Sequence, residues 1–348
     1  METQETPMAR KRVALVGTGG IAQAHIRGWL AQADAELAVL CDVRPEAAEE
    51  TRARHGLNGA RVVARLEDAL ASDCPIIDIC TPSALHAAQV VACLEAGKHV
   101  LCEKPMADTL AQAEEIAAAC RGHPQQVYLC EHRYLFEPLV IAARSAVAEL
   151  GPLHWFRQRS AHALPLAPGI QATGAFLDIG YHPLYTALHF MGPAKTALGL
   201  SHRFARPECA DDTGLIVLEH ERGASIVEGS FAAIGPMGGT RPLEIYGQRG
   251  TLIGNWQPRP QLWLHRGTMG AGTPEPGEAV PIPAGAWPVN AIRHFLDCVD
   301  RTSRPLAGWP EALATMRAYD AALRSAQTGQ KEVVQPSLTR GGDLQRAG

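Results

Sequence analysis

The first 130 residues switch repeatedly between two hydrophobic periods, and this alternation restricts the fold more than any other feature of the chain. Short apolar runs stand at Arg12–Val16, Glu36–Cys41, Ile76–Cys80, His99–Cys102 and Gln126–Cys130. Between them lie Ala- and Leu-rich amphipathic stretches at Ile21–Gln32, Pro45–His55, Ala84–Ala96 and Leu110–Cys120. Strands joined by helical crossovers pair in parallel, with helices covering both faces of the sheet. The runs are apolar throughout rather than alternating, as double coverage requires. The expectation is a doubly wound α/β domain over residues 9–130.

Beyond Cys130 the pattern changes. Helical spacing over Leu135–Leu150 and Phe176–Met191 gives way to consecutive strand-like segments: Leu215–Glu219, Ala224–Phe231, Leu243–Tyr246, Leu252–Trp256 and Gln261–His265. Gly-rich turns between them predict an open, mainly antiparallel sheet in an α+β domain over 131–335. Arg266–Trp287 is rich in Gly and Pro and reads as a long surface loop, and two helices follow at Asn290–Arg301 and Pro310–Gln327. Residues 336–348 read as a polar tail.

Composition narrows the class of function. With 46% hydrophobic residues among 348, the chain has ample apolar surface to fold. No apolar stretch approaches the roughly 18 residues of a membrane span, and Met1–Lys11 has no apolar signal core, so no membrane partner and a cytoplasmic location are expected. A net charge of -4 without a basic run gives no footprint for nucleic acid. Nine cysteines without a CxxC pair fit small buried hydrophobes in a reducing compartment. No metal is expected, because His182 and His189 lack a third ligand at a useful spacing.

Val13-Ala14-Leu15-Val16-Gly17-Thr18-Gly19-Gly20-Ile21-Ala22 has the order strand, glycine turn, helix start. Gly17 permits the sharp turn, Gly19 leaves room for a pyrophosphate, and the helix starting near Gly20 and Ile21 offers backbone N–H groups and a positive dipole end. Asp42, twenty residues beyond Ala22, closes the second strand and can accept the ribose diol hydrogen bonds. Its charge opposes a 2′-phosphate and favours NAD over NADP, although Arg44, two residues on, could clamp such a phosphate.

Glu103-Lys104-Pro105 follows a predicted strand and so emerges at the carboxyl edge of the sheet, where ligands bind in such folds. A cis Lys104–Pro105 bond would aim the ammonium sharply. The bland alternative is a surface Glu–Lys pair before a turn. In Asp178-Ile179-Gly180-Tyr181-His182, a continuous helix would set Asp178 and His182 on one face, within which Pro183 is a tension. Arg159 and His162 are either substrate contacts or exposed polar residues, and Ile234–Arg241 is expected to line the pocket.

The turn at Gly17–Ala22, Thr81-Pro82, Glu103-Lys104-Pro105, His132-Arg133-Tyr134, Asp178-x-Gly180-x-His182 and Tyr246-Gly247-x-x-Gly250 occur in the order of one family. In them the chain resembles the Gfo/Idh/MocA oxidoreductases, named for glucose–fructose oxidoreductase, inositol dehydrogenase and a rhizopine-catabolism protein. The resemblance implies a Rossmann domain followed by an open sheet whose outer face often serves oligomer contacts, and hence a homodimer or homotetramer. It implies NAD(P)-linked chemistry on a secondary hydroxyl of a sugar, polyol or derivative. Lys104, Asp178 and His182 would be the catalytic group, with Thr81, Pro82, His86 and Glu103 along the nucleotide and Arg133 beside the substrate. Ser83 and Tyr185 depart from the pattern, where many relatives have Asn and a second Asp.

Oxidation of an alcohol removes a hydroxyl proton while hydride leaves carbon. An imidazole, titrating near ~6.5, suits the proton step, and an ammonium stabilises the developing alkoxide. Spacing leaves open whether Lys104 or His182 moves the proton. Other readings are a catalytically silent nucleotide sensor and a cofactor-recycling enzyme acting on a glycoside or non-sugar carbonyl.

Overall fold

Val13–Val16 are almost wholly buried, and this central strand organises the first sheet. The computed structural model describes residues 10–234, 242–256, 259–267, 270 and 277–335. The 336–348 tail and most of the Ile234–Arg241 segment lie outside the described residues. The chain runs β1 (Lys11–Val16), α1 (Ala22–Leu30), β2 (Ala35–Cys41), α2 (Pro45–Arg54), β3 (Arg61–Val63) and α3 (Leu66–Leu70). It continues through β4 (Ile76–Ile79), α4 (His86–Glu95), β5 (His99–Cys102), α5 (Leu110–Gly122), β6 (Tyr128–Cys130) and α6 (Pro138–Ala146). The six strands pair in parallel in the order β3-β2-β1-β4-β5-β6. The order reverses direction between β1 and β4, which opens a crevice at their carboxyl ends. The expected doubly wound sheet is therefore present. Only β3 and α3, a three-residue edge strand and a five-residue helix, lie outside the expected pattern.

The second sheet is built from β7 (Leu153–Ala161), β8 (Ala194–His202), β9 (Thr213–His220), β10 (Gly223–Ser230), β11 (Pro242–Gly247), β12 (Gly250–Asn255), β13 (Gln261–Arg266), β14 (Glu278–Ala279) and β15 (Glu332–Val333). Between β7 and β8 come α7 (Pro168–Thr173), α8 (Ala175–Asp178) and α9 (Tyr181–Met191), and after β14 come α10 (Val289–Val299) and α11 (Trp309–Thr328). The strand order is β14-β13-β12-β11-β7-β10-β9-β8-β15, with β7 parallel to β10 and antiparallel to β11. The mainly antiparallel sheet is thus a mixed one. Ile216, Leu218, Val227, Leu243, Ile245 and Leu252 point to its buried face, on which α9 packs across β7 and β10.

Asp178 and His182 do not share one helix, contrary to the expected span Phe176–Met191. α8 ends at Asp178, and the Gly180 N–H reaches back five residues to the Ala175 carbonyl (2.9 Å). α9 restarts at Tyr181, so Pro183 falls in its first turn, where a missing N–H costs no helical bond.

The chain divides into two compact units: residues 1–146, 260–262 and 279–316, and residues 147–259, 263–278 and 317–348. A division at 130 and 131, drawn from periodicity, follows chain order alone, whereas the units are assembled from separated pieces. In the first unit α10 lays Ala291, Ile292, Phe295 and Leu296 against α1, with Phe295 edge-on to Trp29 at 6.3 Å. Among the described residues no helix is long and apolar enough to cross a membrane.

Phe295 is fully buried. Replacing it with Ala is expected to cost about 3–5 kcal/mol, lowering the urea midpoint clearly. Leu323→Ala, at an exposed position of α11, is expected to change it by about 0.5 kcal/mol or less. An unchanged midpoint in the Phe295 variant would contradict this packing.

Candidate active site

The nucleotide cradle forms where β1 turns into α1. Gly17 has φ +88°, and a Cβ there would lie 2.8 Å from the Cys80 carbonyl oxygen, so the turn requires glycine. At Gly19 and Gly20 a Cβ would meet nothing within 4 Å: both face open space. Ile21 precedes α1 without a side-chain cap, which leaves the helix N-terminus to a ligand. The Asp42 carboxylate anchors the turn from β2, its Oδ2 accepting the Thr18 N–H (2.9 Å) and hydroxyl (2.8 Å). Its Oδ1 accepts the Arg44 N–H at 3.0 Å. Partial burial alone would raise this carboxyl, but the donors of Arg44 and Thr18 outweigh it and hold it below the usual carboxylate range. A cavity of about 500 Å³ runs over Gly17, Gly19, Asp42, Arg44, Thr81 and Pro82. Its glycine floor, uncapped helix end and charged rim acid fit the pyrophosphate and ribose of NAD. An open hollow of similar size beside Pro152, Phe190 and Glu221 holds none of the candidate residues.

The carboxyl ends of β4 and β5 supply the next groups. The buried His86 places Nδ1 2.9 Å from the Pro105 carbonyl and Nε2 3.0 Å from that of Thr81. It ties the Thr81 turn to the Lys104–Pro105 turn, whose peptide bond is cis. Lys104 is half-buried at this edge. Glu103 accepts the Lys104 N–H through Oε2 (3.0 Å) and faces His25 Nε2 through Oε1 (2.9 Å). Its placement is therefore behind the edge, within the protein.

That last contact opens onto a buried charge cluster absent from the sequence expectations. His25 on α1 is fully buried, with Nδ1 2.9 Å from Asp78 Oδ2, which also accepts the Trp29 indole N–H at 2.7 Å. Burial by itself would lower the imidazole pKa, but Asp78 raises it well above its ordinary value. Two carboxylates facing two ring nitrogens make His25 an imidazolium donating to both. Burial likewise opposes ionisation of Glu103, and the His25 bond and charge reverse this, lowering its pKa. His25, Asp78 and Cys80 bring three potential metal-ligand atoms within 4.8 Å, yet the ring nitrogens and Asp78 are already engaged with each other and with Glu103 and Trp29. The group is an internal ion cluster.

Glu131, just after β6, is fully buried and accepts the Trp287 indole N–H at 2.9 Å through Oε1, while Oε2 has no hydrogen-bond partner among the described residues. Burial, reinforced by Glu103, pushes its carboxyl up to about 8. The Arg133 guanidinium lies 4.5 Å over the Trp287 ring and 3.1 Å from Glu137.

In the second unit, Asp178 closes α8 and His182 is the second residue of α9, both half-buried. Asp211 fixes the start of α8 by accepting the Phe176 N–H at 2.7 Å. Gly180 lies directly on β10: a Cβ at Gly229 would stand 2.7 Å from the Gly180 nitrogen. His182 Nδ1 is 2.7 Å from the Tyr185 hydroxyl. Arg159 stands on β7, and His162 beyond it packs its ring 5.3 Å from Phe231. A signal for the buried cluster did exist, in the acid of Ile76-Ile77-Asp78-Ile79, since a doubly covered strand does not bury a carboxylate without a partner.

The high pKa of Glu131 sets a sign. Its folded value exceeds its unfolded one, so the stabilisation it gives is complete below the unfolded carboxyl pKa and disappears as pH rises through about 8. Glu131→Gln, neutral throughout, is expected to gain stability relative to wild type between pH 5 and about 8, as read from urea midpoints across that range. Parallel pH profiles would contradict a protonated Glu131.

Two family models match the chain: an oxidoreductase family with an NAD-binding Rossmann fold over residues 11–130, and the GFO/IDH/MocA C-terminal domain over residues 141–253. D-Apiose dehydrogenase of Paraburkholderia graminis is 28% identical over 93% of this chain and 90% of its own length. The scyllo-inositol 2-dehydrogenase (NADP(+)) of Bacillus subtilis is 26% identical over 72% of this chain and 77% of its own. In fold, the solved levoglucosan dehydrogenase complex with NADH is similar at a TM-score of 0.84 and 21% identity, covering 94% of this chain and 99% of that one. Matched in both its nucleotide-binding and its C-terminal parts, the chain belongs to the GFO/IDH/MocA oxidoreductase family.

Proposed function

We propose that this protein oxidises a secondary hydroxyl of a sugar, polyol or sugar derivative with NAD as hydride acceptor. The observation that carries the reading is that Lys104 follows β5 at the same carboxyl edge of the parallel sheet that bears the Gly17–Asp42 cradle, whose cavity fits a dinucleotide. Dehydrogenases of an apiose and an inositol among the relatives support the substrate class. When bound, the dinucleotide supplies the hydride acceptor. Asp42 would hold the adenosine ribose and disfavour a 2′-phosphate, and the α1 N-terminus would hold the pyrophosphate. Lys104 would stabilise the alkoxide, Asp178 would accept a bond from a neighbouring substrate hydroxyl, and the His182 imidazole would take the hydroxyl proton.

The surface and the thiols support a reading of the setting. All nine cysteines are buried and unpaired with one another, which suits a reducing cytoplasm. On the outer face of the second sheet, Leu198, Val217, Ile226, Arg157, Glu244 and Ile253 are successive cross-strand neighbours. Leu198 and Ile253 remain 36% and 42% exposed. A second copy of the chain would cover this face in a homodimer or homotetramer.

Lys104→Ala and His182→Ala are each expected to lower kcat about 10²–10⁴-fold, measured by reduced-nicotinamide absorbance on a polyol and sugar panel. Binding of NAD by calorimetry should persist in both. Near-wild-type turnover in the two variants would refute the assignment. Light scattering on the eluting protein should give twice or four times the chain mass, and a monomer would remove the proposed interface.

A further inference from the structure

His182 has an unusual neighbour. One turn along α9, Tyr185 places its hydroxyl 2.7 Å from His182 Nδ1, with the two rings nearly perpendicular at 85° and 5.7 Å apart. The phenol is itself immobilised: Tyr185 is 2% exposed, and its ring stands edge-on to Tyr181 at 5.8 Å. The His182 backbone is held as well, its carbonyl accepting the Thr186 hydroxyl at 2.8 Å and Pro183 fixing the next φ. Three residues apart on one helix face, the two side chains form a preorganised pair.

We propose that Tyr185 is a positioning residue that fixes the tautomer of His182, accepting a hydrogen bond from Nδ1–H so that Nε2 presents a lone pair to the substrate hydroxyl. The proposal deepens the dehydrogenase reading above and rests on it for its kinetic meaning. An Nδ1···O contact admits two arrangements. If the phenol donates to Nδ1, the ring proton sits on Nε2 and the imidazole has no acceptor left for a substrate proton. If Nδ1–H donates to the phenol oxygen, Nε2 is the base. Oxidation needs the second arrangement: Nε2 would take the substrate O–H proton and the carbonyl would form, the C–H electron pair leaving as hydride, for which a bound dinucleotide would supply the acceptor. The ring is then an imidazolium that keeps its Nδ1–H···O bond.

A phenol does this without adding charge. A carboxylate would stabilise the imidazolium and hold the proton more tightly. The other titratable side chains of α8 and α9 are Asp178, Tyr181 and His189, and those of β7 and β10, on which α9 packs, are His154, Arg157, Arg159 and Glu228. All are kept in the variants below.

The test uses the full chain with ¹⁵N-labelled histidine, the His182 signal being identified by its loss in His182→Gln. Ring nitrogen shifts at pH above the imidazole titration should show the Nδ1–H tautomer in wild type and a loss of that preference in Tyr185→Phe. In turnover, Tyr185→Phe should lose roughly 10-fold or more in kcat, a part of the 10²–10⁴ that a positioned acid–base group contributes, with KM and NAD affinity nearly unchanged. Tyr185→Asp should recover much of the rate, with the acidic limb of its pH profile moved to higher pH. A wild-type Nε2–H tautomer, or a Tyr185→Phe enzyme unchanged in both spectrum and kcat, overturns the proposal. Wild-type inactivity on every polyol and sugar, or full turnover by His182→Gln, overturns the dehydrogenase reading instead, and the tautomer measurement then decides the pairing alone.

Discussion

His25 donates from both ring nitrogens, to Asp78 on β4 and to Glu103 beyond β5, and these bonds lock α1 across the carboxyl half of the parallel sheet. The geometry of the nucleotide cradle depends on that lock. α1 begins at the glycine turn, and Glu103 clamps the backbone of Lys104 with its remaining oxygen. One imidazolium against two carboxylates leaves a negative excess, and the Lys104 ammonium is the nearby cation that acts on Glu103. Removing one partner of a buried ion pair typically costs about 3–5 kcal/mol. Trp29, which donates to Asp78 on one side and packs on Phe295 on the other, extends the same constraint to α10.

Each unit positions its candidate residues by a different means. In the first unit, position is set by backbone: a positive-φ glycine, a helix end without a side-chain cap and a rim carboxylate held by three donors. In the second, it is set by a break. The junction at Ile179–Gly180 lets Asp178 close one helix and His182 open the next, while Asp211 and the glycine contact at β10 hold both in place.

Local order was readable where one residue's role needs only its neighbours in sequence. The alternating periods located β1, β2, β4, β5 and β6, and with them Gly17, Asp42 and Lys104 at the carboxyl edge. β7 escaped notice because Arg157 and Arg159 interrupt its apolar pattern, although it lies mid-sheet between β10 and β11. β8, built largely of Ala, Leu and Gly, has little β-branched content to mark it. Long-range partnership is the other blind spot. Asp78 raises the pKa of His25 and His25 in turn lowers that of Glu103, between positions as far apart as 25 and 103, while Glu131 is pushed up chiefly by a burial that only the assembled fold supplies. The helix break at Gly180 was hidden for a similar reason, since it answers to the close approach of β10 rather than to local propensity.

The return of residues 279–316 to the first unit has a consequence for biosynthesis. Phe295, Ile292 and Leu296 complete a core whose other wall is α1, near the opposite end of the chain. During translation the parallel sheet can assemble early, yet its α1 face stays uncovered until the ribosome has released α10. A nascent chain of this design therefore carries an exposed apolar helix through most of its synthesis, and a gene fragment ending at residue 130 would inherit that defect permanently.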